Sequence, residues 1–441
     1  MTKTFDVAIF GATGFTGRFI LHEVLRTADK AFAGQQPLRV AVAGRSRERL
    51  EKLIASLPTT EDFSTRIKPE ILIADVADES SMRAMCRVSK TVIAAAGPFR
   101  FLGEAVVKAC IEERCDYVDI TGEPEFFERM VLQQHENAKE AQVSIVHVCG
   151  FDSIPADLGV LYTKTQLEQQ HGALPSSIEM FFKVHVAGNS GVAGHYATFE
   201  SAVHGFANSG NLRRMRKEAN RPQIPRIGPT LRSNPKPHWV ERVQAYTIPF
   251  FFADPSVIRL SQQMVIQDKD LTANLAPTAP VRRPIQFDAY ICIPSFKYLA
   301  MMIAASTVFG ALAKYEFGRR LLLKYPKFFT LGLFSHEGPT DQQLAETSFS
   351  ETFFAKGYSK ELQAQYESEA ELKNVEPDVS IVTRYVATPK LVVQACYTLL
   401  LQRDQVPKGV LTPAVAFANT KLLERVQEQG IVFTTVQQPT K

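Results

Sequence analysis

Cysteine is sparse and unpaired in this sequence: six residues are spread from Cys86 to Cys396, and neither C-x-x-C nor H-E-x-x-H occurs anywhere in the 441 residues. That pattern excludes a disulfide scaffold and the usual zinc spacings, so a reducing compartment and no metal site are expected. Charge of one sign is missing too. Fifty basic residues against 46 acidic ones leave a net charge of +4, too even a balance to point to nucleic acid, which is not expected as a partner. Nor is a secretory leader expected: Met1 to Thr4 runs into a six-residue apolar segment, Phe5 to Phe10, that ends in glycines, too short for a signal-peptide core. The composition, 45% hydrophobic and 22% charged, is that of a folded globular chain. Its length predicts two domains, or one domain carrying a large second layer.

What is present is a regular alternation. Phe5 to Phe10 reads as a buried strand, and Phe19, Ile20, Val24 and Leu25 follow at helical spacing. Strands are then predicted at Leu38 to Ala43, Ile71 to Ala74, Thr91 to Ala95, Asp116 to Ile120 and Ser144 to Val148, with helical segments between them. Six strands alternating with helices predict an α/β chain: a Rossmann-type doubly wound parallel sheet, followed by a second, α+β domain. The expected boundaries are 1–158 for a nucleotide-binding domain, 159–390 for a substrate domain, and 391–441 for C-terminal helices returning to the first.

The turn after the first strand reads G-A-T-G-F-T-G, with Gly11, Gly14 and Gly17 spaced so that backbone can approach a pyrophosphate while a helix N-terminus supplies amides. Gly11, Thr13, Gly14, Phe15, Thr16 and Gly17 are therefore candidate dinucleotide contacts. At the end of the second strand, where NAD enzymes usually carry an acid for the ribose hydroxyls, stand Gly44, Arg45 and Ser46. A guanidinium and a hydroxyl suit a 2′-phosphate, so NADP is expected, with NAD as the alternative. Asp75 is a candidate for the adenine end or for a helix cap. Ala95, Ala96, Gly97 and Pro98 are small enough to let ribose and nicotinamide pass. A T-G-x-x-G turn also suggests short-chain dehydrogenases, but none of the 12 tyrosines has the lysine four residues on that would activate it.

Beyond the turn, the motifs A-G-R-S (43–46), A-A-G-P-F (95–99), Y-V-D-I-T-G-E (117–123), C-G-F-D-S-I-P-A-D-L-G (149–159), D-P-S-V-I-R (254–259), Y-V-A-T-P (385–389) and G-V-L-T-P-A-x-A-F (409–417) occur in order. Through this set the chain resembles the saccharopine dehydrogenase-like oxidoreductases from end to end. The resemblance implies a pyridine-nucleotide oxidoreductase associated with membranes or lipid droplets. It also implies a kinship with a bacterial trans-acting enoyl reductase that works beside a polyketide synthase, and a more distant one with true saccharopine reductases. One departure is Ala197 before Thr198, where relatives tend to have glycine.

In the second domain, residues 212–239 carry eight basic residues against the single acid Glu218 and several prolines. They predict a long mobile surface loop, either merely solvated or attracted to anionic headgroups or a thioester carrier. The charge-free run Tyr298 to Ala313 falls short of the roughly 20 residues a spanning helix needs. With Lys314, Arg319, Arg320, Lys324 and Lys327 after it, segment 298–334 reads as a monotopic membrane-facing element or a buried core helix.

A hydride enzyme needs a proton donor near the end of the sixth strand, and Cys149, Asp152 and Ser153 are the catalytic candidates there, with Asp157 close by. Asp152 serves as a general acid if buried, or as a helix N-cap ahead of Pro155. The function expected is an NADP-dependent reductase of a lipidic enoyl or carbonyl substrate, peripherally attached to the cytoplasmic side of a membrane or lipid droplet. The alternatives are a non-catalytic NADP-binding scaffold on droplets and a soluble saccharopine-type amino-acid dehydrogenase. The expected partners are a hydrophobic or acyl small molecule and a lipid surface, with a homodimer left open.

Overall fold

The computed structural model describes residues 3–58, 60, 62–151, 153–387 and 391–436. They form two compact units, one from residues up to 151 with 391–429, the other from 153–387 with 430–436.

In the first unit β1 (Phe5–Phe10), α1 (Phe15–Ala31), β2 (Val40–Gly44), α2 (Arg47–Ala55), β3 (Glu70–Ile73), α3 (Glu79–Val88), β4 (Ser89–Ala94), α4 (Phe99–Glu112), β5 (Asp116–Asp119), α5 (Pro124–Glu140) and β6 (Ser144–Val146) alternate without interruption. All strand pairs are parallel, in the order β6-β5-β4-β1-β2-β3. The chain reverses direction across the sheet between β1 and β4, where doubly wound folds bind their ligands. Val7, Ala8 and Ile9 are fully buried, the mark of a strand covered on both faces. A seventh parallel strand, Gly409–Leu411, pairs with β6, so the C-terminal region supplies a strand as well as helices. The helix Leu391–Leu401 locks to the same unit: Tyr397 Oη donates to Val24 O at 3.1 Å, and its ring meets Phe32 edge-on. All six cysteines are free thiols and buried.

The second unit opens with α6 (Ile154–His171) and β7 (Leu174–Val186), and continues through α7 (Asp254–Gln267), β8 (Gln286–Ile293), α8 (Phe296–Ala313), β9 (Thr347–Tyr358) and β10 (Val379–Ala387). Its mixed seven-stranded sheet runs Val432–Val436, β10, β9, β7, β8, Ala245–Pro249, His238–Val240. Here two expectations change. Residues 430–436 belong to this unit, because Val432–Val436 pairs antiparallel with β10. The basic segment is also not one loop throughout, and it is anchored at Ile227. Ser209–Glu218 is helical, and Ile227 is buried, its carbonyl accepting from Ser176 Oγ at 2.8 Å and Gln286 Nε2 at 3.1 Å. Gly228, at φ +83°, has room only because it lacks a Cβ, which would strike the Tyr358 hydroxyl and Ser176 Oγ. Long-range bonds of this kind are invisible to composition.

Candidate functional site

The glycine turn is held from both sides of β1. Gly11 N donates to Ala43 O at 3.0 Å, Ala95 N donates to Phe10 O at 2.8 Å, and Gly14 N closes the turn on Gly11 O at 3.0 Å. Each glycine answers a separate steric demand. Gly11 sits at φ +83°, and a Cβ there would lie 2.8 Å from Ala96 N; a Cβ on Gly17 would press into the Gly11 carbonyl oxygen and reach 2.8 Å from Ala12 Cα. The residues therefore leave a cradle that any side chain would fill. At its floor α1 starts with Gly14 as N-cap, and no side chain caps its first turn. First-turn amides and the positive end of a 17-residue helix suit the pyrophosphate of a dinucleotide. Thr13, Phe15 and Thr16 complete the loop, with Thr16 exposed.

At the end of β2, Arg45 is exposed and makes no ion pair among the described residues, so its guanidinium is available to a phosphate. Ser46 is occupied with the local backbone, where its Oγ caps α2 by accepting from Arg49 N at 3.3 Å. Asp75 likewise closes an Asx turn on Ala77 N at 3.1 Å, while Asp78, not Asp75, caps α3. Ala95 and Ala96 lie against the glycine turn, Gly97 is exposed, and Pro98 precedes α4. That helix start is tied down by Glu123, which accepts from Phe99 N at 2.7 Å and Arg100 Nε at 2.9 Å inside a fully buried ion pair.

At the ends of β5 and β6, Asp119 is saturated. It accepts from Tyr117 Oη at 2.9 Å, His147 Nδ1 at 2.6 Å, Val148 N at 2.9 Å and Thr121 N at 3.2 Å. His147 Nε2 is buried with no hydrogen-bond partner among the described residues. Cys149 does not fit the role of proton donor expected for it. It is fully buried, and burial pushes its thiol well above the usual range, with the Asp119 charge adding to the effect. Asp152 lies outside the described residues. Ser153 is buried at φ +99°, and its Oγ donates to Asp254 Oδ1 at 2.8 Å, so its hydroxyl is engaged inside the second unit. Asp157 accepts from Ser261 Oγ at 2.9 Å.

The second unit brings together two groups that sequence reasoning missed. Glu351 stands in the middle of β9, opposite Tyr385 on β10 and Phe182 on β7. Glu351 Oε2 and Tyr385 Oη are both buried without a hydrogen-bond partner among the described residues. Burial raises the Glu351 carboxyl well above its ordinary range, and the Asp254 charge pushes the same way. Tyr385 is raised by burial and then by Glu351. A signal existed in the alternation of β9: Phe349, Glu351 and Phe353 share one buried face, so a lone acid sits where period-two patterning demands an apolar residue.

Known proteins resemble the chain in sequence and in fold. A family model for the saccharopine dehydrogenase NADP-binding domain covers residues 7–146. A human saccharopine dehydrogenase-like oxidoreductase is 36% identical over 98% of both chains. A lipid droplet localized protein of Caenorhabditis elegans is 34% identical over 97% of both. A trans-acting enoyl reductase of Mycobacterium leprae is 34% identical over 39% of this chain and 38% of its own. Among solved structures, the apo saccharopine dehydrogenase (L-Glu forming) of Saccharomyces cerevisiae shares the fold, with a TM-score of 0.53 at 13% identity over 98% of this chain and 100% of that one.

Proposed function

The chain belongs to the saccharopine dehydrogenase-like oxidoreductases and is an NADP-binding enzyme; from that premise we propose that it reduces a lipidic enoyl or carbonyl compound while attached peripherally to the cytoplasmic side of a membrane or lipid droplet. The observation that carries this reading is α8. It is an 18-residue apolar helix of which only 11% is buried, spanning about 27 Å at 1.5 Å per residue. A soluble core helix of that composition would be covered. This one contacts protein along one narrow stripe, where Phe309 packs on Phe199 and Phe206.

Tyr298, Met301, Ile303 and Val308 point to solvent, and Phe317 and Phe328 beyond them are about three-quarters exposed. Lys314, Arg319, Arg320, Lys324 and Lys327 follow α8 in the same stretch of chain. An apolar surface accompanied by cations suits a monolayer containing acidic phospholipid, each basic residue adding about 1 kcal/mol near such a surface. The names of the worm and mycobacterial relatives agree with a droplet surface and an enoyl substrate.

In the first unit, Gly11, Gly14 and Gly17 leave room for the pyrophosphate, and the first-turn amides of α1 bind it. Arg45 holds the 2′-phosphate, and Ala95 to Pro98 leave space for the ribose and nicotinamide. Bound NADPH supplies hydride. The test is flotation of the full chain with vesicles of phosphatidylcholine and phosphatidylserine, together with NADPH oxidation using trans-2-hexadecenoyl thioester and hexadecanal. Replacing Met301, Ile303 and Val308 with glutamate should abolish flotation, since each side chain loses about 1.5–3 kcal/mol of burial. Unchanged flotation would end the membrane reading, and no NADPH oxidation with any enoyl or carbonyl lipid would end the substrate reading.

A further inference from the structure

Resting on the membrane reading above, we propose that α8 lies lengthwise in the plane of an acidic phospholipid leaflet, and that Trp239, outside α8, is its anchor at the headgroup boundary. The helix itself sets the orientation. Leu299 and Ala313, near its two ends, are buried, and Met302, Phe309 and Leu312 between them are half-buried. Recurrence at every third or fourth residue puts them on one stripe of the helix. Phe309 and Leu312 pack against the cluster of Phe199, Val203 and Leu322. Protein therefore follows α8 along one side for its full length, while Ala300, Ala304, Val308 and Ala311 on the other side are exposed. A helix held in this way meets a flat lipid surface along its side. Pushing one end deep into lipid would drag the packed protein in with it or strip α8 from Phe199 and Val203.

A run of rings leaves the N-terminal end of α8. Phe296 meets Tyr246 at 6.0 Å, and Tyr246 meets Trp239 at 5.2 Å. Phe296 and Tyr298 are more than half exposed, and Trp239 is 44% exposed. Trp239 is the one tryptophan of the chain. It stands on His238–Val240, the outermost strand of its sheet, and its indole is held in place: Nε1 donates to Glu241 Oε2 at 2.8 Å while the ring meets Tyr246 edge-on. Tryptophan and tyrosine collect where membranes meet water, because each joins an apolar ring to a polar N–H or O–H. Glu241 brings an acid to this end, and the exposed Lys236 and Lys297 offset it from the same stretches of chain.

The C-terminal end of α8 carries a complementary anchor. Arg319 Nη1 donates to Ala313 O at 3.2 Å, and Arg320 is engaged by Glu316. Lys314, Lys324 and Lys327 are exposed and make no ion pair among the described residues. Lys314 and Lys324 stand over the rings of Tyr315 and Tyr325 at 5.7 and 5.3 Å. Lys324, Tyr325, Lys327 and Phe328 line, with His336 and Glu337, a cavity of about 460 Å³. Lysine reaches headgroup phosphates with its ammonium while its stem covers apolar surface. With rings at one end and ammonium groups at the other, both ends of α8 stop at headgroup level, and its bare side enters the acyl boundary by about 5–10 Å.

Because Trp239 stands alone in the sequence, the unaltered full chain reports its own depth. On vesicles of phosphatidylcholine and phosphatidylserine, its emission should shift to the blue and lose its quenching by aqueous acrylamide. On phosphatidylcholine alone the shift should be smaller; an equal one would overturn the choice of an acidic leaflet. Phosphatidylcholine brominated near the headgroup end of its acyl chains, mixed with phosphatidylserine, should quench Trp239 more than the same lipid brominated near the methyl ends. Stronger quenching by the deep bromines would overturn the boundary position. Flotation with unshifted, unquenched emission would overturn the anchor and leave the membrane reading standing, whereas absence of flotation would overturn both.

Nitroxide labels at Ala300→Cys and Ala311→Cys, one per protein, read the orientation. All six native thiols are buried, so the label attaches at the introduced one. The two positions lie on the same side of α8, about 16 Å apart along its axis. Their accessibilities to dissolved oxygen and to a water-soluble nickel chelate should report equal depths. A depth difference approaching the 16 Å that end-on insertion requires, again about 1.5 Å per residue, would overturn the lengthwise placement.

Discussion

Gly17→Ala offers a sharp test of how the first unit grips its cofactor. The added methyl group would press into the Gly11 carbonyl oxygen and lie 2.8 Å from Ala12 Cα. Both neighbours are backbone, so no side-chain rotation relieves the clash. Gly11 cannot retreat either, because its own surroundings leave Ala96 N 2.8 Å from where its Cβ would be. The turn must open, and amides aimed at the pyrophosphate move with it. A hydrogen bond to a charged group contributes about 1.5–3 kcal/mol, so losing one raises the NADPH Kd roughly 10- to 150-fold.

Overpacking adds about 1–3 kcal/mol of destabilisation, which a thermal melt records separately. Calorimetric titration with NADPH well below the melting midpoint isolates the binding effect. Gly205→Ala is the control: nothing lies within 4 Å of its Cβ, and helical alanine is the better residue there. A Gly17→Ala protein that binds NADPH within about twofold of wild type would refute the cradle.

Two further outcomes follow from single side chains. Arg45→Ala should weaken NADPH by about 10- to 150-fold, the loss of one charge-assisted bond, and leave NADH within about twofold; equal losses in parallel fluorescence titrations would remove Arg45 from the 2′-phosphate. Lys164 is buried, and burial lowers its ammonium pKa from 10.5 to about 8, opposed by the Asp157 charge. Between those values the unfolded chain holds a proton that the folded one has released, so folding stability rises with pH across about pH 8 to 10.5. The total is about 3 kcal/mol. Melting midpoints of wild type minus Lys164→Met should climb over that window; a flat difference would show that Lys164 does not titrate there.

The first unit is legible in sequence because its signals are local. A glycine turn between a buried strand and an amphipathic helix carries its own steric and electrostatic logic within Phe5 to Ala31, and the motif order extends it. Caps are the weaker part. Ser46 and Asp75 look like ligand contacts in sequence, yet each satisfies backbone amides two or three residues onward. Cys149, one of several candidates for the proton donor, is fully buried. The basic stretch after Leu212 misleads because its anchors, Ser176 and Gln286, lie tens of residues away.

Sequence by itself determined the parallel sheet and the glycine turn between its first strand and helix, since hydrophobic period and glycine spacing act over a few residues. Tertiary structure alone decided that α8 is bare and that a glutamate from β9 faces a tyrosine from β10 away from solvent. Exposure and pairing depend on which distant segments arrive, and burial raises the pKa of a carboxyl group such as Glu351 only once they have.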